Sequence, residues 1–578
     1  MGTVSKYNYA TIDIESTGLN RYKDDINYVG IGLAEDIGSP LGKTIICNMY
    51  QDKDLDKLLK IVDKLKKNKI KLIWQNGKFD TLFLEHKYGI KLPIHHDVML
   101  MGTAYELATS HALDDMAEKY LGVSSWDIPM KEKKKPNNPV VEKYLGCDLR
   151  YPWELFCFFY ESMSELQWKH YHKILRPAYL MYRRIEKSGI YIDLNKLSKV
   201  KKLYKKKQEE KLKVLKDQYD INWNSPQQVS DVLFDKAGLP TIKLSQKTGK
   251  PSADAKVLKR LCAKGFELSQ QLADYKFYYG ANTKFLNKWG DYAAYDGRIH
   301  PSFGITNVRT GRTSCSDPNL QQVPRNPELR NLFTAKEGRS LIEADYSQLE
   351  LRIAADYANE LTMLKIYREG GDIHTTTAAA VSGVLEDKVT KDMRTKAKAV
   401  NFGFIYGMMA PGFVNYAFDN YNVVLSRQEA ERFRQLFFQK YSRLLSWHQE
   451  VEEIVEALGG VANRFGRFRA LPDIYSSDRW ERSSAVRKGI NTPVQSTGSD
   501  LLISASVEVD KLLRKEMNGF LVGTVHDSML ADVADEYVED AKVEIQRIMA
   551  RPKIMDIFDV DFKVPLVADV GVGAWGSK

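Results

Sequence analysis

The sequence predicts a multidomain chain, an α/β segment followed by an α+β segment. Three observations predict it. The chain has 578 residues, more than one hydrophobic core sustains. Its first 160 or so residues alternate strand-like and helix-like stretches, the pattern of layered α/β packing. From about 360 to 460 the pattern is largely helical, and from 515 it returns to strands and helices, ending in VPLVADVGVGAW.

In the first segment TIDIEST (11–17), YVGIGLA (28–34) and TIICNMY (44–50) read as strands, and DLDKLLKIVDKLKK (54–67) reads as an amphipathic helix. KEKKKPNNP (131–139) is charged, carries two prolines and lacks periodicity, so it reads as a loop. A helix-like stretch at 175–185 gives way to a short strand at 190–193, and the domain boundary is placed near 160–175. Residues 195–216 form a lysine-rich helix; most of its lysines read as a solvated face, a minority as candidates for a phosphate backbone. No internal repeat is visible.

Apolar content of 43% and charged content of 28% fit an ordinary soluble globular chain. A formal net charge of +10 favours a polyanionic partner, although a lysine-rich proteome gives the same excess. Five scattered cysteines, none in CxxC spacing, argue against a zinc site and a disulfide framework and suit a reducing interior. No run of 18 apolar residues exists, so no transmembrane helix is expected. The chain enters its first strand almost at once, leaving no room for a leader, and a cytoplasmic location follows as the expectation.

Chemistry-bearing residues form two groups. Asp13 and Glu15 are two apart in a strand, so both point to one face; two carboxylates there repel unless a cation bridges them. A lone DxE is common. It is followed by Asp80 in NGKFD after the strand-like KLIWQ, then by Tyr144 and Asp148, whose spacing of four shares one helix face. The ordered set resembles the DEDDy family of 3′–5′ exonucleases, the proofreading domains of polymerases, over roughly residues 8–160. The resemblance implies that Asp13, Glu15, Asp80 and Asp148 hold two metal ions and that Tyr144 orients the attacking water. His111 suits the same family; packing is its plainer reading.

The second group begins at LIEADYSQLELRIAAD (341–356), where a buried strand delivers Asp345 to a polar turn. Such a carboxylate is costly to keep charged without a partner, and a divalent cation is a common one. Arg394, Lys398, Phe402 and Tyr406 recur every four residues, placing two cations and two aromatics on one broad helical face, suited to a nucleotide's phosphates and its base and sugar. Gly403 and Gly407 suggest close approach or a bend. Val525-His526-Asp527-Ser528 lies between two strand-like runs and reads as a hairpin turn. Thr310-Gly311-Arg312, the run DPNLQQVP (317–324) and Arg330 precede these motifs, and VRKGINTPVQSTGSD (486–500) lies between them.

This series resembles family A, polymerase I-like DNA polymerases, and covers nearly the whole chain. The resemblance implies a ribonuclease H-like exonuclease domain (1–165) and a right-hand polymerase domain (166–578), with a thumb at about 190–300, a palm at about 301–360 and 490–578, and fingers at about 361–489. It implies that Asp345, the Tyr346 carbonyl and Asp527 bind two magnesium ions, with manganese as the substitute. Glu350 is the steric gate against ribonucleotides. Arg394, Lys398, Phe402, Tyr406 and His374 bind the dNTP; Lys398 is the candidate proton donor to the leaving group, and Phe402 in place of Tyr implies discrimination against dideoxynucleotides. Arg312, Gln321, Arg330, Arg487, Asn491, Gln495 and His526 are the expected DNA contacts. NRFGRFR (463–469) supplies a basic loop at the fingers–palm junction. Ser528 departs from the family's usual Glu.

The expected partners are primer–template DNA, dNTPs and replisome proteins (helicase, single-strand binding protein, processivity factor), with no membrane. Proofreading with no 5′ nuclease domain ahead of residue 8 resembles a replicative bacteriophage enzyme more than a host repair enzyme. A repair polymerase, or a DEDD exonuclease whose C-terminal region only binds nucleic acid, is the alternative. Glu350, Phe402 and the proofreading domain argue against a single-subunit RNA polymerase.

Overall fold

The computed structural model describes residues 6–107, 110–129, 132 and 138–576. The loop expected at 131–139 lies mostly outside the described residues; at its end Asn138 caps the helix Pro139–Ser162. The first sheet contains β1 (Tyr9–Ser16), β2 (Ile26–Ala34), β3 (Lys43–Asn48), β4 (Lys71–Trp74) and β5 (His96–Asp97), in the order β3-β2-β1-β4-β5. The first three strands are antiparallel, while β1, β4 and β5 run parallel. Every residue of β2 is buried, which is why its sequence, Asn27 apart, is apolar rather than alternating. The helix Asp52–Lys67 covers one side, burying Leu58, Ile61, Val62 and Leu65 at helical spacing.

The helix Pro139–Ser162 crosses the sheet over β1 and β2. It can do so because position 30 is glycine: a Cβ there would lie 2.9 Å from both Leu145 Cγ and Leu149 Cδ1. Gly30 is paired with Asp13 in the β1–β2 register. This close approach therefore brings the helix directly over the acidic strand.

No empty linker separates the two halves. Ser164 caps the next helix, Glu165–His170, with a capping box, and a π-helical turn leads into Arg176–Ser188. Arg176–Ser188 is wedged between the halves. The Tyr179 hydroxyl accepts the Lys78 N–H at 3.0 Å on one side, and on the other Tyr182 bonds Thr524 at 2.9 Å and Arg184 bonds Asp510 at 2.8 Å. One apolar core thus runs from the first sheet through this helix into the second sheet. A small separate core, including Leu215, Trp223, Leu233, Leu261 and Leu272, sits beyond it. The lysine-rich helix Leu194–Gln218 buries only Leu197, Tyr204 and Leu215, so most of its lysines are solvated.

The second sheet contains β6 (Arg339–Tyr346), β7 (Gly519–Val525), β8 (Ser528–Ala534) and β9 (Ala568–Val572), all antiparallel in the order β7-β8-β6-β9. The 38-residue helix Arg479–Glu516, with Pro493 inside it, packs against this sheet and against the helix Leu349–Tyr357. A helical layer (Ile373–Ser382, Lys391–Phe404, Ala410–Tyr421 and Arg427–Lys440) stands beside it. Among the described residues, no helix is long and apolar enough to cross a membrane.

Candidate active sites

The first centre is built on β1. Asp13 and Glu15 share a strand face, Asp148 arrives from the helix Pro139–Ser162, and one ligand-capable oxygen from each lies within 4.8 Å of the others. Three hard oxygen donors this close suit a magnesium-, calcium- or manganese-type cation. The Trp126 indole N–H donates to Asp148 at 2.8 Å and fixes its carboxylate. Asp80 and Tyr144 line the same cavity, of about 440 Å³, with Gln75 and Asn76. Asp80 sits behind the trio: its carboxylate accepts the Ile14 N–H at 3.1 Å. Burial pushes the Asp80 carboxyl well above the usual range, and Asp97 and Glu15 push the same way; a bound cation would reverse that. Burial, followed by the charges of Asp148 and Glu15, raises the Tyr144 phenol, so it stays protonated and able to donate.

Asp97 is the residue that sequence reasoning missed here. Fully buried, it accepts the N–H groups of Gly77 at 2.8 Å, Asn76 at 3.3 Å and Met99 at 3.1 Å. It thereby holds the left-handed Asn76 (φ 56°) that starts the helix carrying Asp80. Burial pushes its carboxyl up to about 6. A signal existed, an Asp immediately ahead of an apolar helical stretch, the position of an N-cap. His111 is buried with Nε2 3.0 Å from the Glu106 carbonyl, a packing role.

The second centre lies where β6, β7 and β8 meet. Asp345 pairs with Ser528 across β6–β8, and Val525 pairs with Ser528 across the hairpin, so His526 and Asp527 form its two-residue tip. His526 takes the positive φ (55°) that the turn requires. The Tyr346 N–H donates to the Asp527 carbonyl at 3.2 Å, locking the tip beside Asp345. Asp569 of β9 faces Asp345 from the other side. Ser528 is buried and donates to the Val525 carbonyl at 2.8 Å; where the family usually has a Glu, this chain uses the position to close the hairpin. Burial, then Glu350, raises the Asp527 carboxyl to about 6 against the pull of Arg312. That charge calls for a cation, and the oxygen donors fit one.

Glu350 is gripped from two sides, by the Arg312 guanidinium and by the Tyr406 hydroxyl. The single helical face expected for Arg394, Lys398, Phe402 and Tyr406 needs correction. The helix runs Lys391–Phe404 and carries the first three. Tyr406 lies in the following turn, where Gly407 adopts φ 70° and the helix cannot continue. From that turn the Tyr406 hydroxyl reaches Glu350. Gly403 lies under the Phe413 ring, a close approach. His374 is buried, its ring centroid 6.0 Å from that of Phe402, and its Nδ1 faces the Asn401 amide nitrogen at 2.8 Å. Burial pushes its imidazole down to about 4, so it is neutral, with Nε2 carrying the proton.

The expected DNA contacts divide. Arg487, Asn491 and Gln495 lie on the helix Arg479–Glu516, and the Asn491 Oδ1 is a buried acceptor with no partner in the protein. Arg487 donates to Ser483 at 2.6 Å, and Gln495 bonds Tyr406. His526 stands near Arg312, Arg325 and Arg330, and burial followed by their charges lowers its imidazole. Gln321 and Arg330 are turned inward. Gln321 donates to Thr313 at 2.9 Å and to the Thr524 carbonyl at 3.2 Å; Arg330 donates to the Pro324 carbonyl at 3.2 Å and lies 4.5 Å above the Trp575 ring.

The basic loop at 463–469 is likewise structural. Arg464 pairs with Asp356, Arg469 donates to Thr492 at 3.0 Å, and the buried Arg467 makes a two-point contact with the buried Asp500 at 2.5 and 3.2 Å. Burial alone would raise the Asp500 carboxyl; the Arg467 charge outweighs it and holds it low. The Arg467 guanidinium lies directly under Gly311, and Ser499 donates to the Gly311 carbonyl at 2.6 Å. The buried pair therefore carries the turn that presents Arg312 to Glu350.

Comparisons with known proteins cover both parts of the chain that carry these centres. Residues 3–145 match a 3′–5′ exonuclease family, and residues 193–577 match DNA polymerase family A. DNA polymerase I of Pseudomonas aeruginosa is 31% identical over 592 residues, which cover 97% of this chain and 62% of the relative. DNA polymerase I of Caldicellulosiruptor bescii is 33% identical over 90% of this chain and 59% of its own length. The thermostable DNA polymerase I of Thermus filiformis is 33% identical over 86% and 56%. This chain thus spans less than two thirds of the length of these relatives. The POL domain of Pol1 from M. smegmatis, in complex with DNA primer-template and dNTP, superposes with a TM-score of 0.83 over 99% of this chain and 96% of that one, at 23% identity, a likeness of fold. Since more than half of its residues fall within that polymerase family and a 3′–5′ exonuclease domain stands ahead of them, the chain belongs to DNA polymerase family A.

Proposed function

We propose that this protein extends a primer on a DNA template from dNTPs at the second centre and removes misplaced 3′ nucleotides at the first. One observation carries the reading: the hairpin tip that places Asp527 beside Asp345, with Glu350 near Asp527 and bonded to Tyr406 just past the cationic helix Lys391–Phe404. Magnesium, when held by Asp345, Asp527 and the Tyr346 carbonyl, supplies Lewis-acid stabilisation of phosphate charge.

The chain's own residues do the rest. Arg394 and Lys398 neutralise the triphosphate, and the neutral His374 helps to orient it by donating its Nε2–H. Phe402 and Tyr406 border the base and sugar, and Glu350, immobilised by Arg312 and Tyr406, crowds the 2′ position and disfavours ribonucleotides. The primer 3′ hydroxyl gives up its proton to solvent and its oxygen bonds to the α-phosphorus; the bond to pyrophosphate breaks, and Lys398 protonates the departing oxygen. At the first centre Asp13, Glu15, Asp80 and Asp148 hold divalent cations of the same class, and the protonated Tyr144 orients the attacking water. Arg312, Arg487, Asn491, Gln495 and His526 contact primer–template, with Gln321 and Arg330 shaping that surface from behind. We infer a replicative role and a bacteriophage-type origin, a role that synthesis and 3′ removal in one chain would serve, with helicase, single-strand binding protein and a processivity factor as the partners.

The test uses a labelled primer–template with a mismatched 3′ end, magnesium, and dNTPs present or omitted. Shortening without dNTPs and extension with them are expected. A chain that shortens but never extends is an exonuclease with a nucleic-acid-binding C-terminal region, and the polymerase reading fails.

A further inference from the structure

Arg394 and His374 sit on different helices, and a single carboxylate ties them together. Asp372 caps the helix Ile373–Ser382: its Oδ1 accepts the His374 N–H at 3.2 Å. Its Oδ2 accepts the Arg394 Nε–H and the Thr375 hydroxyl, each at 2.6 Å. The carboxylate is two-thirds buried and the Arg394 side chain is 39% exposed. A guanidinium offers five N–H donors in a fixed fork. The contact to Asp372 occupies Nε, which leaves the four Nη hydrogens of this partly exposed side chain for another acceptor.

We propose that Asp372 is a positioning residue for nucleotide binding: it fixes Arg394 through Nε so that the Nη fork faces the triphosphate, in register with His374. The inference rests on the polymerase reading of this centre. The physical reason is preorganisation. An arginine side chain loses rotamer entropy when it binds a phosphate, and an arginine already held by a charge-assisted bond has lost most of it beforehand. The charge of Asp372 also offsets part of the repulsion among Arg394, Lys398 and any nearby cation while the site is empty.

The cap and the positioning role are separable, because asparagine is as good an N-cap as aspartate but carries no charge to hold the guanidinium. Single-nucleotide incorporation is measured for the wild type, Asp372→Asn and Thr375→Val, along with thermal midpoint and 3′ shortening. Asp372→Asn is expected to raise KM for the dNTP roughly tenfold, with a smaller change in kcat, and to raise the pyrophosphate requirement of the reverse reaction in parallel. Its thermal midpoint and 3′ shortening stay at wild-type values. Thr375→Val, which leaves the charge in place, shifts KM far less. A KM within twofold of wild type for Asp372→Asn, or a KM rise accompanied by a lower midpoint and slower shortening, overturns the inference in favour of capping alone. If the wild type does not extend at all, the polymerase reading itself falls and takes the inference with it.

Discussion

At the first centre, Asp13 and Glu15 share one strand and Tyr144 and Asp148 share one helix, so a single helix–sheet approach at Gly30 completes most of the site. At the second, Arg312, the Asp345–Glu350 run, Tyr406, Gln495 and Asp527 are spread over more than 200 positions, and a buried ion pair, a hairpin tip and a post-helical turn must all be right at once. The first is local and acidic. The second mixes cations and carboxylates, and its geometry depends on contacts far from the reacting atoms. Damage should therefore separate cleanly at the metal-binding carboxylates and spread unequally from the scaffold.

Loss of a metal-binding carboxylate should separate the two centres most clearly. Asp345→Ala or Asp527→Ala should abolish extension, beyond the roughly 100- to 1,000-fold cost of losing one donor at a reacting charge, while 3′ shortening continues. Asp13→Ala should do the reverse. Primer assays with and without dNTPs read both, and a mutant that loses both activities while still folded would show that the centres are not independent.

Next is the scaffold of the second centre. Arg467→Ala strands the buried Asp500 carboxylate and should cost about 3–5 kcal/mol of stability. Extension should fall more than shortening because the Gly311 turn loses its support. Replacing both partners, Arg467→Met with Asp500→Leu, should recover much of the thermal midpoint. An additive loss in the double variant would contradict the pairing.

The corresponding lesion at the first centre is smaller and purely steric. Gly30→Ala forces Leu145 and Leu149 away and should cost about 1–3 kcal/mol by overpacking. It should displace Asp148 from Asp13 and Glu15, so shortening slows while extension is kept. Equal slowing of both activities would mean that the helix approach serves overall stability rather than the site.

The smallest effect compares the halves by pH. Burial lowers His96 to about 3 and His170, His374 and His448 to about 4, from the usual 6.5. Below pH 6.5 the unfolded chain gains protons that the folded chain refuses. Stability from these residues is therefore complete above 6.5 and is lost progressively as the pH falls towards 4. Calorimetric midpoints between pH 7.5 and 5 should decline, and His448→Gln should make the decline shallower. A flat profile would mean that these rings protonate without unfolding.

Sequence by itself determined the strands that carry Asp13, Glu15 and Asp345, the helix that pairs Tyr144 with Asp148, the hairpin around Asp527 and the chemical character of the Lys391–Phe404 helix. All of these follow from periodicity and short spacings, which act within one element. Tertiary structure decided what could not be read from spacing. Tyr406 reaches Glu350 from a turn beyond the helix end, not from the helical face that its spacing implies. Arg464, Arg467 and Arg469 look like a surface basic loop, yet their partners Asp356, Asp500 and Thr492 are 23 to 108 positions away and turn them inward. Asp97 and Asp372 look like ordinary helix caps until the groups they hold are seen. For Arg467, Asp500 and Asp97 the deciding term is burial, which makes an unpaired charge untenable and so assigns it partners that no local pattern can name.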